Sequence, residues 1–132
     1  MVEEMTSADE FCDAYLSTVI EYIRRIQKEE RDNLDVAARL MAKQISEDRL
    51  VHVFGPGGHS NLATQEVFFR AGGLMHMNAI LDEGTLLSNG ALRSMAIERT
   101  PDYGRIVIDN QNLEEGDLLI LVNAYGINSA LI

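Results

Sequence analysis

An α/β fold built on a parallel sheet is predicted by three features of this chain. The apolar run Val51–Phe54 empties into Gly55-Pro56-Gly57-Gly58, followed by His59-Ser60-Asn61 and a helix-like stretch over residues 62–71. A second apolar run, residues 118–122, empties in the same way into the polar loop 123–129, which holds one glycine, Gly126. Ahead of both, the N-terminal third carries apolar residues at helical spacing. Short continuous apolar runs bounded by turn signals are the pattern of strands covered on both faces. Two strand–loop–helix turns of this kind place two sets of backbone N–H donors at the carboxyl edge of a sheet, where open α/β folds bind ligands.

Taken in order, the elements read as follows. Ser7 with Glu10 has the form of a capping box, with Ser7 as N-cap. Phe11, Tyr15, Val19, Tyr22 and Ile26 recur at helical spacing and make one apolar stripe. The charged stretch Lys28-Glu29-Glu30-Arg31-Asp32 interrupts it, and a second helix carries Leu34, Ala38, Met41 and Ile45 on one face. The pair is expected to form a helical hairpin, either covering the sheet or forming a dimer interface. Residues 74–80 read as a further strand containing His76, residues 82–84 as a turn, and residues 91–99 as a short helix closed by Thr100-Pro101-Asp102. Residues 104–109 have the composition of a strand. His52 and His76 lie within apolar strands and are expected to be packed core or surface positions rather than reactive.

The first loop carries the most chemistry. Glycines let a backbone approach a ligand closely, and the first N–H groups of a helix have no intrahelical partners. Such a turn suits an anion, most often phosphate. It matches neither G-x-x-x-x-G-K-[ST] nor G-x-G-x-x-G, which argues against a nucleoside triphosphate or a dinucleotide. Gly57, Gly58, Ser60 and Asn61 are the candidate phosphate-binding residues here. Asn123, Tyr125, Gly126, Asn128 and Ser129 are the candidates in the second loop, where Asn128 or Ser129 would cap a following helix.

The two loops resemble the phosphosugar-binding loops of sugar isomerase (SIS) domains, most closely the bacterial branch near phosphoheptose isomerase. Residues 66–74, with the sequence EVFFRAGGL, and residues 89–94, with NGALRS, are similar to the same branch. This resemblance covers nearly the whole chain. It implies a three-layer αβα sandwich with a flavodoxin-like parallel sheet, and it suggests helix rather than strand for residues 104–109. One SIS-type domain is expected over residues 1–132, with N-terminal helices over 7–47 and the first part of the α/β core over 48–132. The resemblance also implies a phosphorylated sugar as ligand and a homodimer or homotetramer formed through the N-terminal helices. Two departures stand out. Asn123 and Tyr125 occupy positions where the family usually has serines, which removes two hydroxyl donors. The chain also stops just after the second loop, so an incomplete copy of the domain is expected.

Aldose–ketose isomerisation moves a proton between adjacent carbons and needs a base and a proton donor beside the sugar carbonyl. Glu66, about two turns along the helix after the phosphate loop, is the candidate base. His59, in the loop itself, is the candidate donor or phosphate contact. Gly90-Ala91-Leu92 with Glu98 and Asp102 is also similar to N-acetylmuramic acid 6-phosphate etherases, in which glutamates act as acid and base. On that reading Glu66 and Glu98 form the pair. A third reading is a non-catalytic phosphosugar sensor or protein-binding module.

Composition narrows the field. A net charge of −10 argues against nucleic acid and anionic membranes as partners. No run is long enough to span a bilayer, and the acidic start Met1-Val2-Glu3-Glu4 lacks the form of a secretion signal. The single cysteine, Cys12, fits a reducing cytoplasm. Three histidines and one cysteine without ligand spacing predict no metal, and no cofactor is expected.

Overall fold

A computed structural model describes residues 8–132. Ser7, the expected N-cap, lies outside the described residues. The chain divides into two compact units, residues 1–39 and 40–132.

In the first unit, α1 (Ala8–Glu29) is followed directly by α2 (Arg31–Ser46), which runs on into the second. Backbone bonds continue across the junction: Glu30 N–H donates to Ile26 C=O and Leu34 N–H to Glu30 C=O. The helical periodicity predicted from sequence is therefore realised with only a one-residue interruption. None of the residues of α1 is buried, and its aromatic stripe, Phe11, Tyr15 and Tyr22, is exposed.

The second unit is an α/β core. Its sheet has the order β2-β1-β3, with β1 (Val51–Phe54) central, β2 (Met77–Ile80) and β3 (Leu118–Leu121) on either side, and both pairings parallel. Val51 stands opposite Met77 and Leu118, and Phe54 opposite Ile80 and Leu121. The alternation of side chains along a strand then divides the core in two. Val51, Val53 and Met77 form a buried cluster with Met41 of α2, Leu118, Ile120 and Val122 packed against it. His52 and Phe54 point to the other face. His52 takes the core alternative and is buried, with its Nδ1 2.9 Å from Asn78 Nδ2. His76 is half-buried, with Nε2 3.2 Å from Asp48 Oδ1.

Several expected boundaries move. The helix after the first loop, α3, spans Gly58–Glu66 rather than 62–71, because the turn closes on the glycines themselves. It ends at Glu66, and Phe69 and Gly72 then take left-handed backbone angles, φ 47° and 76°, that no helix continues through. The second strand is the shorter Met77–Ile80, and α4 (Ala91–Ile97) falls within the predicted helix. Residues 104–109, strand-like by composition, lie in a helix, α5 (Tyr103–Asp109). Tertiary contact overrides β-propensity there, since Gly104 sits directly under the backbone carbonyl of Ala130. β3 was expected to be buried but is half-buried to exposed. It pairs only with β1 and forms an edge of the described sheet. After β3 the described residues form a loop and a turn rather than a capped helix, with Leu131 N–H on Asn128 C=O at 2.9 Å. Among the described residues, no helix is long and apolar enough to cross a membrane.

Candidate functional site

The parallel arrangement of β1 and β3 brings their carboxyl ends side by side. The loops that leave them meet in a cleft of about 270 Å³. Gly57, Gly58, His59 and Ser60 line it from the first loop, and Asn123, Ala124, Tyr125, Ile127 and Asn128 from the second. Glu98 and Arg99, at the C-terminal end of α4, complete the wall.

The first loop is an uncapped helix start. Gly57 is the N-cap of α3 and supplies no side-chain cap. Asn61 N–H is the first to bond back, to Gly57 C=O at 2.8 Å, so the N–H groups of Gly58, His59 and Ser60 precede the helical ladder. Close packing explains the glycines: a Cβ on Gly55 would strike the Ser60 carbonyl, and one on Gly58 would meet Leu87 and the Ser94 hydroxyl. Around Gly57 the neighbours are the side chains of the cleft. A Cβ placed there would lie 2.9 Å from Glu98 Oε2, 3.7 Å from Ser60 Oγ and 3.9 Å from Asn128 Nδ2. Three elements thus converge on a single Cα.

Each expected site residue has a definite place. Gly57 and Gly58 are buried, Ser60 is half-buried and His59 is exposed at the cleft. Asn61 is fully buried, and its Nδ2 donates to Asp82 C=O and Thr85 Oγ1, both at 3.2 Å, so its amide nitrogen is engaged in the scaffold. Glu66 is exposed on the last turn of α3, ion-paired with Arg70, and is not among the cleft-lining side chains. In the second loop Asn123 and Asn128 are half-buried, while Tyr125 is 83 % exposed. Gly126 takes a left-handed φ of 66°, and Ser129 lines a separate depression with Phe54, Pro56 and Leu121. The second loop also satisfies its own donors. Asn123 Oδ1 accepts the N–H groups of Tyr125 at 2.9 Å and Gly126 at 2.5 Å.

Glu98 is the residue whose placement the sequence left weakest. Its backbone carbonyl accepts Ala130 N–H at 3.1 Å, tying the end of α4 to the exit of the second loop. Its half-buried carboxylate has no hydrogen-bond partner among the described residues and makes no ion pair with Arg99. A half-buried carboxylate without partners is available to a ligand. Among the described residues, no group of three or more His, Cys, Asp or Glu is placed to hold a metal ion.

A buried polar network beneath the first loop was not legible in the sequence. Thr85 N–H donates to Asp82 Oδ2 at 2.9 Å, Ser94 Oγ to Thr85 C=O at 2.8 Å, and Tyr103 OH to Asp82 Oδ1 at 2.9 Å. Burial, then the bond to Asp82, pushes the Tyr103 phenol above its usual range. The network joins α3, α4 and α5 to the loop after β2, and so sets where Ser60 and Glu98 stand.

The SIS-domain family profile matches residues 14–132. The chain belongs to the SIS-domain family. Related sequences agree with this. The UPF0309 protein of Caldanaerobacter subterraneus subsp. tengcongensis is 38 % identical over 119 residues, covering 89 % of this chain and 48 % of that protein. The UPF0309 protein of Thermoanaerobacter pseudethanolicus is 37 % identical over 118 residues, covering 88 % and 47 %. That of Listeria innocua is 35 % identical over 114 residues, covering 86 % and 46 %. This SIS-domain chain therefore spans about half the length of the curated relatives it matches.

Proposed function

We propose that this SIS-domain chain binds a phosphorylated sugar in the cleft between residues 55–61 and 123–129, and that its chemistry is aldose–ketose isomerisation of the kind carried out by phosphoheptose isomerase. The observation that carries the reading is the convergence of an uncapped helix start and a second polar loop at the carboxyl ends of parallel strands. The N–H groups of Gly58, His59 and Ser60, with the Ser60 hydroxyl, hold the phosphate. His59 and Glu66 are the proposed proton donor and base. The protein acts in the cytoplasm. The exposed stripe of α1 is the proposed homo-oligomer surface, because aromatic residues at that spacing gain most by being covered. Phe11→Glu combined with Tyr15→Glu then yields a monomer by sedimentation equilibrium, and a wild-type chain that is itself monomeric refutes that surface.

One observation favours a second chemistry. The Glu98 carboxylate lies against Gly57 with no partner, where an acid–base residue of an etherase-like elimination from an amino-sugar phosphate would act. A protein that binds phosphosugars without turnover is the remaining alternative.

Thermal-shift measurements with sugar phosphates and their unphosphorylated counterparts test the common core of these readings, since a ligand that binds only the folded state raises its apparent stability. A shift confined to phosphorylated sugars, and reduced by Ser60→Ala, is expected. Equal shifts with both classes would remove the phosphate site. With a binding sugar identified, Glu98→Gln divides the chemistries: loss of turnover with binding retained in both Glu66→Gln and Glu98→Gln supports the etherase-like pair, and loss confined to Glu66→Gln supports isomerisation.

A further inference from the structure

Several arginines of this protein are held by carboxylates: Arg25 by Glu29, Arg39 by Asp35, Arg49 by Asp117 and Arg70 by Glu66. The Arg99 side chain makes no hydrogen bond or ion pair among the described residues, although the unpartnered Glu98 carboxylate is its chain neighbour. Successive residues of a helical turn do not face each other, which keeps the two charges apart. Arg99 nevertheless stands at the cleft. It lines the wall beside Glu98 and is the single Lys or Arg among the lining residues. Its mount is fixed. Arg99 N–H bonds Ala96 C=O at 3.3 Å, and the adjacent Glu98 C=O accepts Ala130 N–H at 3.1 Å, which fastens this turn to the exit of the second loop.

Charge decides what such a guanidinium does. A phosphate monoester carries close to two negative charges at neutral pH. Charges farther off than about 8 Å are largely screened at physiological salt, so the net charge of −10 counts for less than the groups lining the cleft. There the Glu98 carboxylate repels a phosphate and the Arg99 guanidinium attracts it. We propose that Arg99 is the phosphate-binding cation of the cleft, offsetting Glu98 and gripping two phosphate oxygens with its planar fork. This rests on the phosphosugar reading of the cleft, and it holds whichever loop supplies the remaining donors. A charge-assisted bond is about twice as strong as a neutral one, so one forked guanidinium stands in for several hydroxyls.

Calorimetry with fructose 6-phosphate and with inorganic phosphate, at salt concentrations from about 0.01 to 1 M, tests this. Arg99 is exposed, so Arg99→Met should fold and melt like the wild type. It should bind fructose 6-phosphate about 10- to 100-fold more weakly at physiological salt, the range for losing a charged hydrogen bond. The decisive readout is the salt dependence. Wild-type affinity should fall as salt rises, and the Arg99→Met affinity should fall much less. Arg99→Lys should keep the salt dependence but not the full affinity, because an ammonium lacks the fork. Glu98→Gln added to Arg99→Met should recover part of the loss by removing the repulsion. Wild-type affinity in Arg99→Met, or a loss that leaves the salt dependence unchanged, overturns the proposal. If Ser60→Ala weakens binding while Arg99→Met does not, only the role of Arg99 falls. If the wild type binds neither probe, the phosphosugar reading falls and the role of Arg99 with it.

Discussion

At Gly57 the absence of a side chain leaves room for the Glu98 carboxylate. At Gly104 the same absence leaves room for backbone. The two positions predict different consequences for alanine. A Cβ on Gly57 would meet the free end of a flexible glutamate at 2.9 Å, which can rotate away. Gly57→Ala should therefore change stability by less than about 1 kcal/mol, while displacing Glu98 and altering ligand binding. A Cβ on Gly104 would meet the Ala130 carbonyl, which cannot move without the second loop. Gly104→Ala should lose about 1–3 kcal/mol, the usual range for overpacking a rigid site. Urea unfolding of the two variants checks the contrast, and equal losses would show that Glu98 is as fixed as the backbone. The glycine clusters were plain in the sequence. Which of them faced a side chain and which a carbonyl was not, because that depends on elements remote in the chain.

Among the elements, α3 shows how a helix start is held in place from beneath. Asn61 sits in its first turn, fully buried, and bonds to Asp82 and Thr85 in the segment after β2. Asn61→Ala removes both bonds, leaves the Thr85 hydroxyl its bond to Asp82 C=O, and takes away the buried Asn61 Oδ1 that has no partner. A cost of about 1–2 kcal/mol is expected, from roughly 1 kcal/mol per bond. A fall in melting temperature measures it, and phosphosugar affinity should fall with it because Ser60 shares the same turn. The strand–loop–helix layout of this element was readable from residues 51–61 alone. Its boundaries were not: the helix begins four residues earlier than the periodicity suggested, at Gly58, which packs directly against Leu87 and Ser94. For α5, Ile106-Val107-Ile108 suits a strand by propensity while the family resemblance suggests helix, and the fold settles on helix, with Gly104 seated against Ala130.

Across the α/β unit, Asp117 ties together parts distant in sequence. Its Oδ2 accepts Glu114 N–H at 2.8 Å, its Oδ1 accepts Arg49 Nη2 at 2.6 Å, and His52 Nε2 lies 3.6 Å away. The Glu114 N–H, followed by the Arg49 guanidinium, holds this carboxyl below its usual range. A carboxyl with a lowered folded-state pKa contributes stability above its ordinary pKa, and that contribution disappears as pH falls through the folded value. Asp117→Asn should therefore be less stable than the wild type at neutral pH. The gap should close as the pH drops below about 4, the ordinary carboxylate range. Denaturation midpoints at pH 7, 5 and 3 check this. A gap that stays constant with pH would mean the carboxylate charge contributes nothing.

The sequence alone determined the class of this protein: an α/β fold of the SIS family, with glycine-rich and polar loops at the ends of two apolar strands and a helical N-terminal region. Those features are local. Strand runs, glycine clusters and helical spacing are written in consecutive residues, and backbone chemistry reads them directly. The tertiary structure decided which side chains share the cleft. The pairing of Glu66 with Arg70 and the turn of Asn123 onto its own loop are local contacts. The tertiary structure placed Glu98 against Gly57 and buried Asn61 as a scaffold residue. No periodicity encodes such encounters. They follow from the parallel register of β1 with β3 and from the packing of α4 and α5 around the carboxyl edge, where Val122 N–H reaches Phe54 C=O at 2.8 Å and Ala130 N–H reaches Glu98 C=O at 3.1 Å.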